Sequence, residues 1–251
     1  MRQARVAPST ASEKLRLQGI TAPVEVRRHP AARRMTLRVS RARRAVIVTL
    51  PMQCCLDAAG RFVSTHIEWV RERLGSLPEP VPFHDGAMIP LRGIPHSIAF
   101  TGPDRRSRVV TIDRAPDGFA SLSVAGAPEH GPRRLRDWLV AEARQDLDER
   151  VQWHAANLGV RPKRIVVRDQ VSRWGSCSTT GALSFSWRLV LAPPYILDYV
   201  AAHEVAHLAE MNHGPRFWAL VRKTMPATDD AKRWLQVYGM DLHRYGTSPG
   251  A

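Results

Sequence analysis

Residues 193–213 read PPYILDYVAAHEVAHLAEMNH. This stretch predicts a helix from Pro194 to Met211, because proline suits the first turn of a helix and Asp198 lies near the positive end of the helix dipole. Small or apolar side chains surround the helix on almost every side, so we expect it to be buried. Two histidines and a glutamate inside a buried helix require a chemical reason.

The motif His203-Glu204-Val205-Ala206-His207 supplies that reason. Histidines four residues apart lie on one face of a helix, so both imidazoles can bind a single metal ion. Glu204 is turned about 100° from His203 and lies beside the metal. Zinc suits neutral imidazole nitrogen, and a catalytic zinc site keeps a fourth position for water, whose proton Glu204 can take. The motif predicts a zinc-dependent hydrolase with Glu204 as general base.

A third ligand is predicted at His213, six residues after His207. This is the spacing of the long zinc motif HExxHxxGxxH. Glu210 stands where that motif has glycine, so we expect the chain to turn later, at Asn212 or Gly214, both of which tolerate a positive φ. Glu210 is an alternative third ligand, or a side chain that orients a ligand histidine.

Two longer stretches carry a family resemblance: residues 172–208, SRWGSCSTTGALSFSWRLVLAPPYILDYVAAHEVAHL, and residues 212–218, NHGPRFW. They resemble the YgjP-like metallopeptidase family, also called the DUF45 family and related to SprT-like proteins. The resemblance implies a zincin-like catalytic domain with metal ligands at His203, His207 and His213 and the catalytic glutamate at Glu204. It implies a peptide or protein substrate, although a nucleotide pyrophosphatase activity has also been proposed within the family.

The region before this domain is predicted to be rich in β-structure. Residues 1–18 lack apolar periodicity and are interpreted as a disordered tail. Residues 19–131 form a β-rich region with one amphipathic helix, and residues 132–246 form the catalytic domain, opened by a long helix that stops at Gly159. The predicted strands at 24–28, 34–40 and 45–50 alternate in a way that indicates antiparallel pairing with one wet face. The fold class is α+β, with a small antiparallel sheet in the catalytic domain.

Two segments before the motif helix are candidates for the substrate site. Residues 183–191 alternate apolar with polar side chains and predict a strand; at a sheet edge, it would accept an extended peptide by backbone hydrogen bonds. Residues 172–178 predict a loop near the metal. Its Arg173 is interpreted either as a group that binds an anionic intermediate or a phosphate, or as one that holds the loop.

The formal net charge of +14 raises the question of polyanionic partners. Residues 1–60 hold twelve Lys and Arg against three Asp and Glu, so a nucleic acid that docks on this basic region is one hypothesis. A nucleoside triphosphate bound by the metal, Arg173 and Arg188 is another, although no Gly-rich phosphate loop supports it. Three cysteines and the lack of a signal peptide or membrane-length apolar run predict a cytoplasmic protein without disulfides or membrane contact.

Overall fold

A computed structural model of the chain describes residues 13–40, 43–102, 109–115 and 118–247. Within these ranges it has the predicted α+β fold, with six α-helices and three small sheets. Most of the predicted tail, residues 1–12, lies outside the described residues. Contacts divide the chain into two compact units, one that ends at Pro78 and one that begins at Glu79.

The N-terminal unit consists of a four-stranded sheet and two helices. Its strands lie in the order β1-β2-β4-β3. The elements are β1 (Glu13–Leu15), β2 (Val24–Arg28), β3 (Thr36–Ser40), β4 (Ala45–Leu50), α1 (Leu56–Thr65) and α2 (Ile67–Gly75). Valines of β2 and β4 form its core together with Ala59 and Val63 of α1 and Val70 of α2. Burial alternates at the start of β2, where Val24 and Val26 are buried, whereas β4, a central strand, is buried along almost its whole length.

Three predictions for this unit are corrected by the structure. The strands are not all antiparallel: β2 pairs with β4 in parallel, because β4 is inserted between β2 and β3. The amphipathic stretch after Pro51 forms two helices, since the backbone leaves the helical region at His66 (φ −109°) after the weak helix formers Ser64 and Thr65. Residues 13–15 of the predicted tail pair with β2 as β1.

The second unit begins with another four-stranded sheet, in the order β5-β6-β8-β7. Its strands are β5 (Met88–Leu91), β6 (Ile94–Gly102), β7 (Val110–Arg114) and β8 (Ala120–Ala125). Helix α3 (Gly131–Leu158) follows and ends, as predicted, at Gly159 with a left-handed φ of 68°. Ile98 and Leu122 of the sheet share one buried cluster with Leu135 of α3. A domain boundary after residue 131 would cut this core, so the compact units divide at Pro78 instead.

A three-stranded sheet and three helices complete the second unit. The elements are β9 (Arg164–Arg168), β10 (Gly175–Cys177), β11 (Ala182–Ser186), α4 (Pro194–Ala206), α5 (Pro215–Thr224) and α6 (Thr228–Tyr238). The sheet is mixed, not antiparallel as predicted: β11 pairs antiparallel with β10 and parallel with β9. Strand β11 ends at Ser186, and a 3-10 helix, Trp187–Leu191, leads towards α4.

A helix can cross a lipid bilayer only if it is long enough and apolar enough. The longest helix, α3, has 28 residues but carries charged side chains throughout. No helix among the described residues is both long enough and apolar enough to span a membrane.

Candidate metal centre

The three predicted metal ligands meet at the C-terminal end of α4. His203 lies in its last turn, His207 caps it, and His213 comes from the loop that leads to α5. Each offers one ring nitrogen, and the three atoms lie within 4.8 Å of one another. Spacing on the helix brings His203 and His207 together. The return of His213 depends on an earlier turn than expected: α4 ends at Ala206, and neither Asn212 nor Gly214 has a positive φ.

A hydrogen bond fixes which ring nitrogen of His207 remains available. Nδ1 of His207 lies 3.1 Å from the backbone oxygen of Glu210. Because a carbonyl oxygen only accepts, Nδ1 carries the proton and Nε2 keeps its lone pair for a metal. Glu210 thus orients His207 through its backbone oxygen and not through its side chain. Among the described residues, its carboxylate does not belong to the group of side chains that could hold a metal ion.

One pair of these nitrogens is spaced much as two ligands of a single metal ion would be. Nε2 of His203 and Nε2 of His213 lie 3.1 Å apart. Zinc–nitrogen bonds of about 2.0–2.1 Å in a tetrahedron separate two ligand nitrogens by about 3.3 Å. Two lone pairs that face each other at this distance repel unless a proton or a cation lies between them. The arrangement therefore suits a metal ion.

Burial favours the neutral form of His203 and His207, which is the form that binds metal. It lowers the pKa of His203 to about 3, with smaller contributions from the charges of His207, His213 and Lys232. Burial also lowers the pKa of His207. The fully buried ring of Phe217 lies 4.4–4.9 Å from all three imidazole rings and forms the floor of the cluster.

Glu204 is buried beside these histidines, with 6 % of its surface exposed. Burial raises its pKa to about 7, and the charge of Arg173 opposes that rise. The carboxylate packs on the backbone of β10: a Cβ added to Gly175 would lie 2.6 Å from both Cγ and Oε1 of Glu204. Only glycine leaves this space. No local sequence pattern marks Gly175, because its role depends on contact with a helix about 30 residues further along the chain.

Strand β10 also forms the edge of the small sheet. Its order, β10-β11-β9, leaves one side of β10 without a partner strand among the described residues. The predicted edge strand, β11, is central instead. Cys177, at the end of β10, has a pKa raised by burial and by the charge of Glu204. The strand that contacts the carboxylate is thus an edge strand of the sheet.

Arg188 does not belong to the site. Its guanidinium donates to Asp169 and to the backbone oxygens of Leu242 and Tyr245, and 5 % of the residue is exposed. The strand pattern placed Arg188 on a wet face, but the chain turns into the 3-10 helix and buries it. It anchors the C-terminal segment, whose His243 lies 5.0 Å from Trp174.

Comparisons with known proteins identify a family for the chain. A family model described as the YgjP-like metallopeptidase domain matches residues 33–238. Among solved structures, the metallopeptidase zymogen of Pyrococcus abyssi abylysin is similar to 40 % of this chain and 99 % of its own, at 21 % identity and a TM-score of 0.34. A search of curated proteins gives no match. The family model spans most of the sequence and includes the three histidines and Glu204, so the chain belongs to the YgjP-like metallopeptidase family.

Proposed function

We propose that the protein is a zinc peptidase that hydrolyses peptide bonds in protein or peptide substrates. His203, His207 and His213 hold the metal, and Glu204 is the general base. The observation that carries the proposal is the convergence of three imidazoles beside a buried carboxylate. Membership of a metallopeptidase family supports the reaction class.

The chemistry divides between the metal and Glu204. When bound, zinc supplies a Lewis acid that polarises the scissile carbonyl and makes water more acidic. Glu204 takes one proton as the water oxygen attacks the carbonyl carbon. It returns that proton to the amine nitrogen as the carbon–nitrogen bond breaks, so the carboxylate is regenerated. The close contact with Gly175 keeps the carboxylate in one place during both transfers.

The free edge of β10 supports a peptide as the substrate. An extended peptide can add to an unpaired strand by main-chain hydrogen bonds, whatever its side chains. Because Gly175 opens β10 and contacts Glu204, a peptide paired there would run past the general base. Residues on alternate sides of that peptide would then meet different surroundings.

No described contact favours the nucleotide hypothesis. It required Arg173 and Arg188 to neutralise phosphate, but Arg188 is fully engaged with Asp169 and two backbone oxygens. The basic region that was predicted to dock nucleic acid stays a prediction from charge alone. The peptide hypothesis needs neither feature.

The variant Glu204→Gln tests the proposed base. We expect it to keep its zinc and to lose turnover of an unfolded protein substrate by about 10²–10⁴-fold, the usual contribution of general acid–base catalysis. Zinc content by mass spectrometry of metals and initial rates would be measured on the same preparation. Glu210→Gln is the matched control, because its carboxylate lies outside the cluster while the substitution is chemically identical.

Full activity in Glu204→Gln would remove Glu204 as the base. Loss of zinc from that variant would instead show that the carboxylate holds the metal. Equal losses in Glu204→Gln and Glu210→Gln would mean that the effect is general to the loop and not specific to the proposed base.

A further inference from the structure

A lysine lies against the wall of the metal centre. Lys232 of α6 places its Nζ 4.4 Å from the ring centroid of Trp218 on α5. The Trp218 ring lies 5.9 Å from the rings of both His203 and His213. A cation over an aromatic face is held there by the ring quadrupole. The ammonium group is therefore positioned within about 10 Å of the imidazoles.

This ammonium group has hydrogen-bonding capacity to spare. Its nearest carboxylate oxygen, in Asp229, is 4.0 Å away, and the Lys232 side chain is 37 % exposed. Asp229 also lies 3.7 Å from Arg222, so its charge is already shared. Across the described part of the chain, Lys232 makes no hydrogen bond, whereas a lysine can donate three.

A second cation lies on the Glu204 side of the centre. Arg173 is exposed and makes no ion pair within the described ranges. It stands two residues before Gly175, which contacts Glu204, and its charge acts on that carboxylate. The surroundings of the centre therefore include two cations, Lys232 and Arg173, that make no side-chain hydrogen bond to another residue within the described ranges. A cation of this kind attracts a carboxylate.

We propose that Lys232 binds a carboxylate of the substrate and makes the site prefer acidic peptides. The inference rests on the proposed peptidase function and adds its substrate class. An extended peptide advances about 3.3–3.6 Å per residue, so three residues span about the distance between the imidazoles and the ammonium group. Either an Asp or Glu side chain or a free C-terminus supplies that group.

The test measures binding, not turnover. Full-length Glu204→Gln protein is titrated, with and without zinc, against fluorescein-labelled peptides of one sequence. The parent peptide has Gln at every varied position and is made both as a C-terminal amide and as a free acid. In each further peptide, one Gln is replaced by Glu. We expect at least one acidic peptide to bind about fivefold more tightly than the all-Gln amide, as a partly exposed ion pair allows. The peptides that contain Glu test for recognition of a side-chain carboxylate, and the free-acid peptide tests for recognition of the C-terminus.

Second substitutions in the Glu204→Gln background assign the effect. Lys232→Gln should reduce the preference to less than twofold, and Lys232→Arg should restore it. Lys223→Gln is the matched control: it removes the same charge from α5, where Lys223 donates to the backbone of Asn157, and should keep the preference. Changes of peptide affinity that follow the charge at 232 would not arise from a merely structural lysine.

Equal affinities for acidic and neutral peptides, no measurable peptide binding, or a preference that survives Lys232→Gln would each overturn the inference. Equal affinities, or a preference that survives Lys232→Gln, leave the proposed peptidase function standing, whereas an absence of binding to every peptide also counts against that function. Conversely, failure of cleavage by zinc-loaded wild type counts against the proposed function, while the binding preference is still measured.

Discussion

The two compact units differ in what they bury. The buried cluster of the N-terminal unit is made of valines, Leu50 and Ala59. The second unit buries Arg188, Glu204 and His207 along with its apolar core. In the described ranges, every buried polar or charged side chain lies after Pro78. The N-terminal unit thus buries apolar side chains, which stabilise it. The second unit also buries charged side chains, whose burial costs stability but serves chemistry or anchoring.

The largest predicted contrast is between two glycine-to-alanine substitutions, one in each unit. Gly175→Ala forces a methyl group into Glu204, and a displacement of about 1 Å costs about 10²-fold in turnover. In Gly60→Ala, a substitution in α1, the added methyl group would contact only Leu17, at 3.8 Å. This variant should have a free energy of unfolding higher by about 0.5–1 kcal/mol and an unchanged turnover. Peptidase assays and urea denaturation measure both.

Zinc content is the control for this pair. We expect Gly175→Ala to retain its metal, because Gly175 contacts Glu204 and is not part of the histidine cluster. If Gly175→Ala kept wild-type turnover, the contact between β10 and Glu204 would not position the base.

A smaller contrast is expected between two arginine-to-methionine substitutions. Arg188→Met removes a buried partner of Asp169 and should lower the free energy of unfolding by about 2 kcal/mol. This loss is smaller than that for a fully buried ion pair, because the Asp169 side chain is 31 % exposed and still pairs with Arg136 in the variant. Arg27→Met removes a half-exposed partner of Glu25, which keeps Arg43, and should cost at most about 0.5 kcal/mol. Equal losses would contradict the contrast in burial.

The smallest predicted effect is a dependence of stability on pH in the second unit. Burial opposes ionisation of Asp198, but hydrogen bonds from His154 and Arg150 outweigh it and lower its pKa. The ionised carboxylate therefore stabilises the fold above its unfolded-state pKa of about 3.9, and this is lost as the pH falls through the lower folded-state value.

Asp198→Asn removes this contribution. At pH 7 the variant should be less stable than wild type by about 1 kcal/mol, the order of a charge-assisted hydrogen bond. The difference should shrink as the pH falls below about 4. Urea denaturation at pH 7 and pH 3 measures it, and a difference that stays constant would assign the loss to packing instead.

Local patterns predicted most of the elements but not how they pair. The apolar spacing of α3 and its Gly159 stop are properties of neighbouring residues, and both were predicted correctly. The parallel pairing of β2 with β4 depends on which strand lies between them, which no single strand records. Strand β8 was missed, because its small residues, Ala120–Ala125, lie in a Gly- and Pro-rich region with weak periodicity.

The candidate site divides in the same way. The spacing of His203, His207 and His213 predicted their convergence, since it depends on one helix and the turn after it. Gly175 and Lys232 come from elements distant in sequence, and neither carries a local pattern that marks it. Trp218 lies 5.9 Å from the rings of His203 and His213, a contact that the sequence stretch NHGPRFW does not by itself indicate.

The most direct test of the central claim is a crystal structure of the zinc-loaded protein with diffraction recorded on both sides of the zinc absorption edge. We predict one anomalous peak per chain, bonded to a ring nitrogen of each of His203, His207 and His213 at about 2.0–2.1 Å, with Glu204 beside it and not bonded to it. A peak at another position, or one bonded to Glu210 in place of His213, would contradict the account.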